Sequence, residues 1–503
     1  MLDGLVPAII LPPILAAAAL GLGLLTGRIH GEAWERASAR LVTGATASSL
    51  LAALAATFWR GQGSIPEQIN FGPWLESGDY RIDISFHADG LGLGLSLLFG
   101  LFAWMVARFS VHYLHRETGF HRFFMILALF AGAMQLIVLA GNAPLAFAGW
   151  ELAGVCSYLL IAYAYDRPTA VGNATRAFVT NRVGDAGFVL GIYFAYVWTG
   201  GVEWPQILAQ GAALEPAKAG VLAACFLLAA TAKSAQIPFA PWLARAMEGP
   251  TPSSAVFYGA VMVHAGVYLV LRLEPVFSQA PLVMALMALL GLATALYGFL
   301  CGLVQTDVKS ALVFSTMGQV GLMFLECGLG LWSLAAWHLA AHAVVRGYQF
   351  LTAPALMHHI AGMPTRPPPA WMARQRWLYL AATRRFWLEE AVDIFTTRQV
   401  QGYAADLERF DGAVVDPLIG LSSPAAPSVD GGAPHLGGLP GRVLQRIAES
   451  LHWFEERLVL AGVGRDLIAQ GRKLGTQLNR IEAGLLRPRY PTLLVVIVLL
   501  ACL

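Results

Sequence analysis

Eleven runs of about twenty apolar residues, near 6–26, 40–59, 90–114, 123–140, 143–165, 174–199, 218–243, 253–274, 281–304, 309–328 and 332–357, constrain this chain more than anything else in its sequence. A helix of that length crosses the roughly 30 Å hydrocarbon core of a bilayer. A twelfth run, 490–503, is shorter and marginal as a span. Composition points the same way, with 57% hydrophobic and 13% charged residues and a mean hydropathy of +0.60, against about 25% charged in soluble proteins. The expected fold is therefore all-α, a polytopic membrane protein of about 11–12 transmembrane helices. The first run lacks a basic leader and an evident small-residue cleavage site, so it reads as a retained helix and not as a signal peptide.

Orientation follows from where Lys and Arg fall in the short loops. The first, third and fifth loops carry Arg28, Arg36 and Arg40, then Arg116 and Arg122, then Arg167. The second, Gly61 to His87, is acidic, with Glu67, Glu76, Asp79 and Asp83. This places the N-terminus outside and residues 360–489 in the cytoplasm. That segment differs in composition: it opens on Pro364-Thr-Arg-Pro-Pro-Pro369, holds a Gly/Pro/Ser stretch from Ser422 to Gly441, and has helical patterns at Arg384 to Phe410 and Gly441 to Leu460. Amphipathic helices on a membrane surface or against a partner, or simply solvated faces, both fit this pattern. The expected organisation is N-terminal transmembrane helices over 1–120, one helical repeat over 121–275, a partial second over 276–360, a cytoplasmic partner-docking segment over 361–489, and a marginal membrane helix over 490–503.

The five cysteines (Cys156, Cys225, Cys301, Cys327, Cys502) all sit in apolar runs without metal-site spacing, as small buried hydrophobes do. No catalytic site, resident metal or cofactor is expected in this chain. A net charge of +2 carries no nucleic-acid signal, and no nucleic-acid partner is expected.

Against this apolar background a few ionisable residues stand out, because an unpaired charge in hydrocarbon costs several kcal/mol. His338, His342 and Arg346 recur every fourth residue and so share a face of one helix. Glu151 lies early in another run, where it is either a neutral carboxyl bonded to a neighbouring helix or half of an ion pair; Lys233 is its natural counter-charge. Pro238, five residues beyond Lys233, cannot donate its backbone hydrogen bond, so the helix should break near the lysine. Broken membrane helices are tolerated where their free backbone groups face protein or a water-filled cavity. Gly249-Pro250-Thr251-Pro252-Ser253-Ser254 forms a rigid turn before the eighth helix, which carries Tyr258 and His264, each a path residue or a satisfied core residue. Arg182 and Asp185, three apart, suit an ion pair at a helix entrance. Arg176, Asp307 and Lys309 add polar groups on the same side.

Together, Trp150-Glu151 with Cys156-Ser-Tyr-Leu-Leu160, Lys233-Ser-Ala-Gln-Ile-Pro238 with Trp242-Leu243, Gly249-Pro-Thr-Pro-Ser-Ser-Ala255, Gln305-Thr-Asp307-Val-Lys309 with Ser315-Thr-Met317, and His338-x-x-x-His342 resemble one family. It comprises the antiporter-like membrane subunits of respiratory complex I, Mrp-type cation/proton antiporters and the membrane subunit of DAB-type inorganic-carbon accumulation complexes. The resemblance runs from about 85 to 360. It implies two inverted repeats, with Glu151 and Lys233 as a coupled pair and His338 and His342 as a central relay. Tyr258 stands where the family commonly has histidine, with His264 about two turns on. Arg346 replaces the usual lysine, and a guanidinium that keeps its proton acts as a fixed charge, not a relay. Nothing after Ile360 matches the family's second broken helix, so the second repeat reads as truncated.

By these departures the resemblance is nearest to the DAB-type subunit. It implies proton or sodium flow coupled to a large soluble cytoplasmic partner, zinc-containing and carbonic-anhydrase-like, that hydrates carbon dioxide to bicarbonate. The alternative is a proton-pumping subunit of an NADH-quinone oxidoreductase-type complex. Either implies a multi-pass protein of the cell inner membrane.

Overall fold

The computed structural model describes residues 2–78, 80–260, 262–359 and 367–415, with 446 and 475. The marginal run 490–503 and, apart from residue 446, the pattern 441–460 lie outside these residues. Helical structure occupies every one of the eleven apolar runs. In chain order the elements are α1 (Pro7–Leu25), α2 (Glu35–Gly61), β1 (Gln68–Ser77), β2 (Tyr80–His87), α3 (Gly90–Tyr113), α4 (Phe120–Leu139), α5 (Ala143–Ile161), α6 (Pro168–Thr199), α7 (Trp204–Gly211), α8 (Pro216–Lys233), α9 (Pro241–Arg245), α10 (Thr251–Ser254), α11 (Ala265–Arg272), α12 (Glu274–Phe277), α13 (Pro281–Gly302), α14 (Val308–Gly328) and α15 (Trp332–His359). Nine spans among the described residues are long and apolar enough to cross a membrane. The two other long helices, α6 and α15, are those that carry Arg182, Asp185 and the His338, His342, Arg346 row.

The helix starts follow from local chemistry. Proline opens α6, α8 and α13, where its missing N–H would have had no helical partner. Asp89, Asn142 and Asp307 cap α3, α5 and α14, each accepting a backbone N–H at 2.8 Å. Asp307, a supporting candidate for the ion path, is thus tied to the backbone of Ser310. The centre of the bundle is α4, buried at every position except Arg122, as befits a helix apolar on all sides. It packs against α1, α3 and α5. Elsewhere α13 and α14 approach through small residues: a Cβ on Gly298 would lie 2.6 Å from the backbone N of Gly318, so only glycine permits that backbone contact.

Two features, the hairpin and the eighth span, differ from the sequence expectation, while the break after α8 falls near the lysine as expected. The acidic second loop contains an antiparallel hairpin, with Gln68 opposite His87 and Ser77 opposite Tyr80. Alternation of Ile82, Ile84 and Phe86 with polar residues has the period of a strand, but the run is too short and acidic to register against the helical signal. Helix α8 stops at Lys233 itself, five residues before Pro238, and Ala235 takes a left-handed φ of 50°. Protein groups satisfy the freed backbone: Trp242 Nε1 donates to the Ala232 carbonyl at 2.9 Å, and Ile237 N donates to Thr294 Oγ1 of α13 at 2.9 Å. The eighth span is not one α-helix. It runs from α10 through a wide π-turn, Ala255–Ala260, and a 3₁₀ turn, Met262–His264, into α11. Ser234 Oγ donates to the Val263 carbonyl at 2.7 Å, filling a bond that the irregular turn leaves open.

The compact unit that holds these helices extends to Asp393. It includes α16 (Ala370–Arg374), α17 (Arg376–Thr383) and the first part of α18 (Leu388–Phe395). Glu389 receives Arg245 at 2.6 Å and lies 3.3 Å from Arg176, while Asp393 accepts from Arg176 at 2.5 and 2.8 Å. Arg176 therefore holds this segment to α6. The second unit starts at Ile394 and contains α19 (Thr397–Phe410), where Val400, Tyr403, Leu407 and Phe410 form an exposed apolar stripe at helical spacing.

A polar latch ties the hairpin to the helices. Asn142 Nδ2 donates to Ser85 Oγ at 2.9 Å and to Glu203 Oε1 at 3.0 Å, and Ser85 Oγ donates to Glu203 Oε2 at 2.6 Å. Burial, with Asp83 nearby, raises the Glu203 carboxyl above its usual range, while Ser85 and Asn142 oppose the rise. A raised folded-state value means that the contribution is present at low pH and lost as the pH climbs through it. Amide exchange at Gly141, which donates to the Ser85 carbonyl, should accelerate beyond its intrinsic base-catalysed rise as the pH climbs through the raised Glu203 value. In Glu203→Gln that excess over the intrinsic rise should vanish; an unchanged excess would contradict the assignment.

Candidate functional site

Four ionisable side chains converge on Gly154 of α5. Glu151 lies three residues earlier on the same helix face. A Cβ on Gly154 would stand 2.8 Å from Arg182 Nη2 and 3.4 Å from Lys233 Nζ, so the missing side chain is what leaves room for both cations. Arg182, from the middle of α6, donates through Nη1 to Glu151 Oε2 in a close ion pair, and its Nη2 lies 2.8 Å from Asp185 Oδ2. The Asp185 Oδ1 accepts from Trp150 Nε1 at 2.7 Å. Lys233 Nζ donates to the Trp150 carbonyl at 2.9 Å and sits 5.0 Å from the centre of the Trp150 ring.

The expected direct pair of Glu151 with Lys233 is therefore corrected. Among the described residues the ion-pair partner of Glu151 is Arg182, and Lys233 meets Trp150, the neighbour of Glu151 in sequence. The forked guanidinium can serve two carboxylates at once, whereas an ammonium at the end of α8 is a point donor that the Trp150 carbonyl captures. The expected Arg182–Asp185 pair is present, but in the middle of α6 and shared with Glu151, not isolated at a helix entrance. Lys233 is 1% exposed, while the side chains of Arg182 and Glu151 keep 32% and 26% of their surface.

The second group is built by α14, α15 and the irregular eighth span. His264 Nε2 and His342 Nδ1 are 2.9 Å apart, so one donates and the other accepts. Arg346 Nε lies 3.4 Å from His342 Nε2, and its other nitrogens donate to Gln349 Oε1 at 2.9 Å and Ser315 Oγ at 2.7 Å. On the other side of His342, His338 stands with its ring centre 6.3 Å away. The His338 Nδ1 lies 2.9 Å from Glu326 Oε1, and Nε2 lies 2.9 Å from Gln319 Oε1. The backbone at the α8 break links the two groups: Ser234, next to Lys233, bonds to Val263, next to His264.

Glu326 and Gln319 are functional candidates that the sequence reading missed. They lie seven residues apart in α14, hence on one face, which was the available signal; only their apposition to His338 gives it meaning. Tyr258 is buried with its ring 5.2 Å from that of Phe350, and its hydroxyl has no partner among the described residues. Lys309 makes no hydrogen bond or ion pair with a described residue and joins neither group. Among the described residues no three His, Cys, Asp or Glu side chains are placed to hold a metal ion, and Cys156, Cys225, Cys301 and Cys327 are free. Cys502 lies outside those residues.

Comparison with known proteins gives this arrangement its place. Residues 140–366 match the family described as NADH:quinone oxidoreductase/Mrp antiporter, TM, and residues 74–124 match NADH-ubiquinone oxidoreductase (complex I), chain 5 N-terminus. The chloroplast NAD(P)H-quinone oxidoreductase subunit 5 of Nephroselmis olivacea is 38% identical over 352 residues, covering 69% of this chain and 54% of the relative. NADH-quinone oxidoreductase subunit L of Campylobacter jejuni is 38% identical over 277 residues, covering 55% and 46%. The chain spans about half the length of the curated relatives it matches. In fold it is similar to a chain of the Mrp complex from Dietzia sp. DQ12-45-1b, with a TM-score of 0.61 at 22% identity over 92% of this chain and 59% of that one. The chain belongs to the family of antiporter-like membrane subunits shared by complex I and the Mrp antiporters, and it is a multi-pass membrane protein.

Removing Arg182 would leave Glu151 and Asp185 without their shared counter-charge. Because the pair is partly exposed, Arg182→Gln should cost about 2 kcal/mol, less than the loss for a fully buried pair. Adding Glu151→Gln should recover a good part of it. Thermal unfolding in detergent measures this cycle, and strictly additive losses would show the two residues to be uncoupled.

Proposed function

We propose that this chain is a cation-translocating membrane subunit, with protons as the cation, of a quinone-oxidoreductase-type respiratory complex. The observation that carries this reading is the row of ionisable groups held inside the bundle: Glu151, Arg182, Asp185 and Lys233 in one cluster, His264, His342, Arg346, His338 and Glu326 in the other. Such groups at membrane depth are costly, and the usual reason for keeping them is a path for charge. The three imidazoles and the buried lysine can take up and release a proton, whereas Arg346 stays charged and sets the field that His342 feels.

The break after Lys233 supports transfer between the clusters. Gln236 Oε1, Ser253 Oγ, Ser254 Oγ and the Tyr258 hydroxyl are buried without a partner among the described residues, and polar lining of this kind suits water. Beyond His342, His338 with Glu326 and Gln319 extends the row of polar groups. The proposed placement is the cytoplasmic membrane with the N-terminus outside. There Arg176, Glu389 and Asp393 face the cytoplasm, and the apolar stripe of α19 is available to lipid or a partner subunit.

The relatives reported above are quinone-oxidoreductase subunits, and the similar fold belongs to an Mrp complex. This favours the respiratory reading over coupling to a zinc-containing carbon dioxide hydratase, for which the chain itself offers no specific observation.

Reconstituted into vesicles with a trapped pH dye, Lys233→Ala should lower proton flux at least about tenfold, in line with loss of one positioned proton carrier. Flux that survives Lys233→Ala intact would overturn the proposal. Replacing sodium by choline should leave wild-type flux unchanged if the proton is the carried ion. Arg346→Lys should fold normally and shift the pH profile of flux, because the ammonium can lose its proton where the guanidinium does not.

A further inference from the structure

The facing ends of α2 and α3 carry a cationic cleft that plays no part in the ion path. A cavity of about 350 Å³ lies between them, lined by Arg36, Arg40 and Arg108 at one end and by Gly44, Ala47 and Trp104 at the other. Its composition changes with depth in an orderly way. Arg36 and Arg40 occupy the first two turns of α2, and Arg108 lies little more than a turn before the end of α3. Gly44 and Ala47 on α2, and Trp104 on α3, are a turn or more further into the apolar span. The two helices are antiparallel neighbours, so charge gathers at the level of the helix ends and apolar surface below it.

The acids nearby do not neutralise these arginines. Glu35 accepts from His115 Nδ1 at 2.8 Å and from the Arg116 backbone N at 3.0 Å, and Glu32 pairs with Arg116 at 3.2 Å. Arg36, Arg40 and Arg108 have no ion pair with any described residue. Solvated loop arginines that merely set orientation need not converge; these three line one cavity, continuous through Arg36 and Val111 with a larger one of about 770 Å³.

We infer that this cleft binds an anionic phospholipid, its phosphate held by Arg36, Arg40 and Arg108 and an acyl chain lying along Gly44, Ala47 and Trp104. Charge complementarity selects the headgroup, and the apolar lower half selects a lipid over free phosphate. Aromatic rings such as Trp104 suit the depth where headgroup meets chain, and basic clefts between helix ends are a known form of lipid recognition.

The test is native mass spectrometry of the full chain released from nanodiscs of phosphatidylglycerol or of phosphatidylcholine with the same acyl chains. Wild type should retain phosphatidylglycerol preferentially. Each arginine near such a surface weights binding by about fivefold, so the triple variant Arg36→Gln, Arg40→Gln, Arg108→Gln should lose on the order of a hundredfold in retention. The triple lysine variant keeps the charge and should keep the preference. Gly44→Leu fills the acyl end, at a position with nothing within 4 Å, and should lower retention severalfold with all three arginines in place. No preference in wild type, or a preference that survives the triple glutamine variant, would overturn the inference. So would a photo-crosslinker at Ala47 that couples in native membranes to a neighbouring protein and not to lipid, since the cleft would then be a subunit interface.

Discussion

Two carboxylates and two cations meet around Gly154 because each is too costly to bury alone. A guanidinium shared between Glu151 and Asp185 satisfies both acids from one position on α6, and the Trp150 indole completes Asp185. That frees Lys233 from a tight carboxylate pair. Its ammonium is held by a backbone carbonyl and an aromatic face, which bind the charged form without the grip of a direct ion pair. The same contacts join α5, α6 and α8, so the charge cluster is also a structural joint of the bundle.

Irregular backbone extends that centre. The end of α8 at Lys233, the left-handed turn at Ala235 and the wide and tight turns before α11 lie together, and Ser234 and Val263 tie them. Broken helices at membrane depth survive only if protein groups or solvent take up the open bonds, and here Trp242, Thr294 and Ser234 take several of them. The breaks bring His264 to His342 at hydrogen-bond distance. A continuous helix through 253–274 would have carried His264 on through a regular spiral, with no turn to set it against α15.

The polar group around His338 obeys the same electrostatic rule. Glu326 would be an isolated carboxylate near the end of α14 without His338 opposite, and Gln319 closes the other ring nitrogen. Arg346 is fixed by Gln349 and Ser315. Its guanidinium thus stands as a permanent charge one turn from His342.

Apolar run length by itself determined the helical class and the eleven helical segments, because backbone groups in hydrocarbon leave almost no alternative. The same pattern marked Lys233, Glu151 and the α15 histidines, since charge is conspicuous in an apolar run, and Pro238 foretold a break. What it could not convey was partnership. Sequence made Lys233 the natural mate of Glu151; the tertiary structure gave that place to Arg182, whose reach and fork suit two acids, and reduced Asp307 to a helix cap. Glu326 and Gln319 became visible only opposite His338, and the hairpin only as it bonded to Asn142 and Glu203 through Ser85. Hydrophobic periodicity is a property of each segment alone, whereas the pairing of buried charges depends on which helices pack together and at what register, and that is decided in three dimensions.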